Sequence, residues 1–146
     1  MTARVLLADD DGAFCHALAT VLVSGGHADV VGTASNGQEA VELYRRLAPD
    51  VVLMDVVMPV CDGVEATRQI VAFDAGARIV AMTSGDDDRT LAMCLAVGAK
   101  GWLKKSAAAI ALAPMLLALA ARQHSDDVVA ETPRRSEPLS DPGTFL

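Results

Sequence analysis

The chain has 146 residues, 52% hydrophobic but only 3% aromatic, and carries a formal net charge of −7. That length suits one domain with an aliphatic core and a short appendage, and so acidic a chain lacks the basic face that nucleic-acid binding needs. No apolar run is long enough to span a membrane and no signal-peptide pattern opens the chain, so the expected location is the cytoplasm.

In chain order, Val5-Leu6-Leu7-Ala8 reads as a strand that ends in Asp9-Asp10-Asp11. Phe14, Leu18, Val21 and Leu22 then recur at helical spacing, with Asp11 as N-cap and Gly25-Gly26 closing the helix. A second strand over residues 30–34 leads to Asn36-Gly37-Gln38-Glu39, which has the form of a capping box. Ala40, Val41, Tyr44 and Leu47 give the buried face of that helix, and Pro49 stops it. Val51-Val52-Leu53-Met54 is an unbroken apolar run expected to be a fully buried strand, and Asp55 ends it. After Val56-Val57-Met58-Pro59, the Asp62-Gly63-Val64-Glu65 stretch repeats the capping-box form and opens a helix through about Ala72. A fourth strand over 78–82 ends in Thr83-Ser84-Gly85. Asp86-Asp87-Asp88 leads to a helix carrying Leu91, Met93, Cys94 and Val97, closed by Gly98. A short fifth strand, Gly101-Trp102-Leu103, ends in Lys104-Lys105.

Residues 106–121 are nearly all Ala, Leu, Ile and Met and predict a closing helix, which Pro114 should kink or split. A helix with no charged face is either covered by a partner or a plain Ala-rich surface. Beyond Arg122 the chain turns polar and proline-rich, and the expectation is one domain over 1–122 with a disordered tail over 123–146. Cys15, Cys61 and Cys94 are widely spaced, with no Cys-x-x-Cys pair, and suit reduced thiols. Strand and helix alternate five times, which predicts an α/β fold: a doubly wound, five-stranded parallel sheet in the flavodoxin-like order 2-1-3-4-5.

That order brings Asp9, Asp10, Asp55, Thr83 and Lys105 to one carboxyl edge, where ligands bind in open α/β sheets. Carboxylates that close must be relieved by protonation or by a cation. Hard oxygen ligands without His or Cys favour Mg²⁺, with Mn²⁺ as the alternative. A cation and an ammonium beside a carboxylate suit an incoming phosphoryl group, with Asp55 as nucleophile.

These residues resemble the receiver domains of two-component response regulators. Val5-Leu6-Leu7-Ala8-Asp9-Asp10 is similar to the family's first strand, residues 52–59 with Asp62-Gly63 to its phosphoacceptor strand and loop, Ala81-Met82-Thr83-Ser84 to its switch hydroxyl, and residues 98–105 to its fifth strand and lysine. The resemblance implies that Asp55 accepts a phosphoryl group from a sensor histidine kinase. It implies that Asp10, Asp55 and the Val57 main-chain carbonyl bind Mg²⁺, with Asp9 acting through water. Lys105 would contact the phosphoryl oxygens, Thr83 would move toward them, and Trp102 would hold the switch position usually given to Tyr or Phe. For an aromatic in a strand, core packing explains Trp102 as well. The chain is then expected to be a switch rather than an enzyme, exposing the surface of its fourth helix, fifth strand and fifth helix to a protein target or a second copy. A dimer through the first and fifth helices is the other expectation. Either it stands alone, the preferred reading, or it is the receiver fragment of a longer DNA-binding regulator. Two further classes fit worse. A phosphohydrolase would carry a second Asp where Val57 stands, and a nucleotide-binding module needs a glycine loop after the first strand.

Overall fold

Among the described residues, runs of Val, Leu, Ile and Met alternating with helical segments form five strands and four helices. The structure is a computed structural model, and it describes residues 2–26, 28–85 and 88–108. The elements are β1 (Ala3–Ala8), α1 (Gly12–Ser24), β2 (Ala28–Ala34), α2 (Gly37–Leu47), β3 (Val51–Asp55), α3 (Gly63–Phe73), β4 (Ile79–Thr83), α4 (Asp88–Ala96) and β5 (Gly101–Lys104), followed by a 3-10 turn (Lys105–Ala107). The expected closing helix, its Pro114 and the tail lie outside the described residues.

All strand pairs are parallel and the order is β2-β1-β3-β4-β5, as the alternation predicted. Side chains alternate across the pleat, so each strand feeds two cores. Leu6, Ala8, Val52, Met54, Ile79 and Ala81 face the layer of α2, α3 and α4. Val5, Leu7, Val51, Leu53, Val80 and Met82 face α1, with Cys15, Leu18 and Leu22. Every residue of β3 is buried, which fits the unbroken apolar run.

The caps hold the helices where the chain pattern put them. Asp11, Asn36 and Asp62 each accept a hydrogen bond from the backbone N–H three residues on. Both expected capping boxes are only half formed. Glu39 accepts instead from the backbone and hydroxyl of Ser35, one residue before the cap. Glu65 turns to Arg68 and Gln69 on its own helix. Two apolar residues face the other way from the expectation: Val21 is 44% and Met93 49% exposed. Cys15 takes the inward place on α1, because the stripe 15, 18, 22 points more squarely at the sheet than one running through 21.

The loop after β3 holds the one β-branched residue with positive φ among the described residues. Val60 has φ 68°, and the Cys61 N–H closes a γ-turn onto the Pro59 carbonyl at 2.7 Å. A β-branched side chain is strained there. Its side chain is 81% exposed, so little packing offsets the strain. Val60→Gly is therefore expected to stabilise the protein by about 0.5–1 kcal/mol, the relief of left-handed strain exceeding glycine's entropy in the unfolded chain. A urea midpoint that fails to rise would contradict this.

Candidate functional site

The carboxyl edge of the sheet collects the charged groups. Asp9 follows β1 directly, and its N–H is tied to the Ala34 carbonyl of β2 at 2.9 Å. Asp55 ends β3 opposite Met82, and the next N–H, of Val56, donates to the Met82 carbonyl at 3.0 Å. Both carboxylates are thus fixed by ladder bonds on either side of the central strands. Asp9 and Asp55 are buried, whereas Asp10 is exposed. One oxygen from each of the three lies within 4.8 Å of the others, as the sequence predicted.

Lys105 starts the turn after β5 and reaches back across the edge. Its Nζ lies 3.1 Å from Asp55 Oδ2 and 2.5 Å from Asp9 Oδ2. The first contact is a hydrogen bond, and the second is a close ion pair to a buried carboxylate oxygen. The other Asp55 oxygen accepts the Val57 N–H at 3.2 Å.

The electrostatics follow from this placement. Burial, with the Asp9 charge adding to it, pushes the Asp55 carboxyl up from an ordinary 3.8 to about 6, against the pull of the Val57 N–H and Lys105. Burial alone would lower the Lys105 ammonium, but the two carboxylates outweigh it and raise it. Burial and the nearby Asp9 push the Cys15 thiol up to about 11, so it is a packed thiol and not a nucleophile. Two carboxylates and one ammonium leave net negative charge at a site with only hard ligands. That donor set fits Mg²⁺ or Mn²⁺.

Thr83 ends β4 at the same edge and is buried, but its hydroxyl lies 3.4 Å from both the N and the O of Gly85. It is engaged with its own loop. Trp102 is half-buried and packs against the core layer under α2, α3 and α4, the inward orientation that simple core packing also requires. The sequence reading missed two residues of the site. Phe14 places its ring 4.9 Å from Lys105 Nζ, and the Cys15 thiol lies 3.6 Å from the Asp9 carbonyl. Their position in the first turn of α1, just after the acidic pair, was the available signal. An open cleft of about 460 Å³ bordered by Asp9, Asp10, His16 and Ser35 gives access from the β2 side.

A 2-1-3-4-5 parallel sheet with an acidic trio and a lysine at its carboxyl edge defines a flavodoxin-like α/β domain of the CheY type. The profile of the response regulator receiver domain matches residues 5–116, and the chain belongs to that family. The chain is 40% identical over 105 residues to the chemotaxis protein CheY of Halobacterium salinarum, covering 72% of this chain and 86% of that one. It is 38% identical over 106 residues to the transcriptional regulatory protein LnrK of Bacillus subtilis, covering 73% of this chain but 48% of LnrK. Among solved structures, a LuxR-family two-component response regulator from Aurantimonas sp. SI85-9A1 superposes with TM-score 0.76 at 32% identity, over 83% of this chain and 87% of that one. A chain of the CheX–CheY–BeF3–Mg²⁺ complex from Borrelia burgdorferi gives TM-score 0.66 at 26% identity, over 84% of this chain and 89% of that one. No helix among the described residues is long and apolar enough to cross a membrane.

Proposed function

We propose that this receiver domain is a phosphoacceptor switch in which Asp55 takes a phosphoryl group from a phosphohistidine of a sensor kinase. The observation that carries the reading is the Asp55 carboxylate, fixed at the end of β3, within 4.8 Å of Asp9 and Asp10 and 3.1 Å from Lys105 Nζ. An Asp55 oxygen attacks phosphorus, the P–N bond breaks, and the imidazole leaves with the bonding pair. Lys105 neutralises charge on the phosphoryl oxygens. The Val57 N–H and the ladder bonds hold the carboxylate in place during attack. Asp10, Asp55 and the Val57 carbonyl, with Asp9 through water, would hold Mg²⁺, which when bound supplies the remaining positive charge. A structure similar to this one belongs to a complex containing BeF3 and Mg²⁺, which supports that reading.

Thr83 would exchange its Gly85 contacts for the phosphoryl oxygens, and Trp102 would follow, altering the α4–β5 surface offered to a target or a second copy. The receiver unit is taken as residues 1–122, acting as a switch rather than an enzyme. Intact mass after incubation with acetyl phosphate and Mg²⁺ tests the reading. One added phosphoryl group is expected in wild type and none in Asp55→Ala; an unmodified wild type would overturn it.

The lifetime of that adduct follows from two neighbours. Val57 is 62% exposed beside Asp55 and apolar, and Gly85 has no side chain, so neither orients an attacking water. Val57→Asn, which adds an amide at an exposed position, is expected to shorten the lifetime several-fold after acetyl phosphate is removed. An unchanged decay of the phosphorylated mass would count against it.

A further inference from the structure

Among the described residues Lys105 has three partners, and only two of them are carboxylates. The third is the ring of Phe14, whose centroid lies 4.9 Å from Nζ. The ring is held from its own side: the Phe14 N–H donates to the Asp11 cap at 3.1 Å, and its side chain packs half-buried on the core layer beneath α1. An ammonium this close to an aromatic face is attracted by the ring quadrupole, more strongly where water is partly excluded, and the Lys105 side chain is only 14% exposed.

We propose that Phe14 is a positioning residue whose ring keeps the Lys105 ammonium at the Asp9 and Asp55 carboxylates while Asp55 is phosphorylated. This rests on the reading of Asp55 as phosphoacceptor. Phosphorylation turns one carboxylate partner of Lys105 into an acyl phosphate, whose negative charge lies on the phosphoryl oxygens, so that contact changes during the reaction. The ring is uncharged throughout, and it accepts no conventional hydrogen bond that a phosphoryl oxygen would compete for. It therefore fixes the cation through the transfer without opposing the new contact.

A packing role and a cation-holding role separate in a series of fluorinated phenylalanines at position 14. The 4-fluoro, 3,5-difluoro and 3,4,5-trifluoro rings keep nearly the same shape while their attraction for a cation falls. The rate of acyl-phosphate formation with acetyl phosphate and Mg²⁺, followed by intact mass, is expected to fall stepwise along the series. It should fall by about three- to tenfold in Phe14→Leu, with Phe14→Tyr close to wild type. In the NMR spectrum the Lys105 ε-methylene protons should be ring-shifted upfield in wild type and return toward ordinary values in Phe14→Leu. A rate flat across the fluorinated series, with the wild type phosphorylated normally, overturns the Phe14 assignment alone. Absence of any adduct in wild type instead removes the phosphoacceptor reading on which it rests.

Discussion

Gly63→Ala is expected to destabilise the protein by about 3 kcal/mol and to slow phosphorylation of Asp55 as well. A Cβ at this position would sit 2.2 Å from the Asp55 carbonyl oxygen and 2.8 Å from the Val56 Cα. Both neighbours are backbone of a buried strand end and cannot rotate aside. The first residue of α3 is also bonded to that strand end, the Gly63 N–H donating to the Val56 carbonyl at 3.2 Å. Alanine must therefore push α3 away or twist the peptide that carries Asp55, and either movement reaches the site. Gly12→Ala is the matched comparison: it opens α1 beside the same site, but a Cβ there meets nothing within 4 Å. It should be neutral or slightly stabilising, since alanine favours the helix. Urea unfolding of the two variants separates steric contact from a general glycine effect. Equal midpoints for Gly63→Ala and Gly12→Ala would contradict the argument.

Gly63 also marks how far the sequence could be read. Asp62-Gly63 after a proline-containing loop signalled a helix start, and the cap is there. That the glycine is pressed against the carbonyl of Asp55 depends on how α3 crosses the strand end, which no local pattern encodes. The strand order and the acidic edge were legible because each rests on chain-local chemistry: apolar runs of strand length, caps at fixed offsets, and carboxylates at strand ends. Val21 and Met93 were misplaced because helical spacing defines a broad stripe, and only the sheet decides which edge of it faces inward. Glu39 satisfies Ser35 rather than its own cap because its carboxylate reaches past the helix end, a choice between neighbouring donors that the motif does not fix. The ring of Phe14 against Lys105 joins the first and fifth β–α connections, so it becomes visible only once the sheet has brought those two ends together.

The second large effect concerns Asp55 itself, and its sign is opposite to that of most substitutions at a buried charge. The folded state holds the Asp55 proton up to about pH 6, whereas the unfolded chain releases it near the ordinary 3.8. Between those values the folded state binds more protons than the unfolded one, so stability falls as pH rises through the window. The loss amounts to about 2–3 kcal/mol by neutral pH. Asp55→Asn removes the titration and the repulsion from Asp9, and it leaves Lys105 paired with Asp9 at 2.5 Å. Its stability should be nearly flat between pH 4 and 6 where Asp55 alone is concerned. At pH 7 it should exceed wild type by about 2 kcal/mol in the absence of divalent cation. Adding Mg²⁺ at pH 7 should raise the urea midpoint of wild type far more than that of Asp55→Asn, because the cation relieves a repulsion that the variant no longer has. Lys105→Met should act in reverse, losing stability at neutral pH and recovering part of it on acidification. An Asp55→Asn protein less stable than wild type at pH 7 without cation would refute this account. A carboxylate that destabilises the resting fold at neutral pH is a group whose neutralisation releases free energy. On the phosphoacceptor reading, the same repulsion favours the cation-bound form, in which the added positive charge also offsets the negative charge that the phosphoryl group brings.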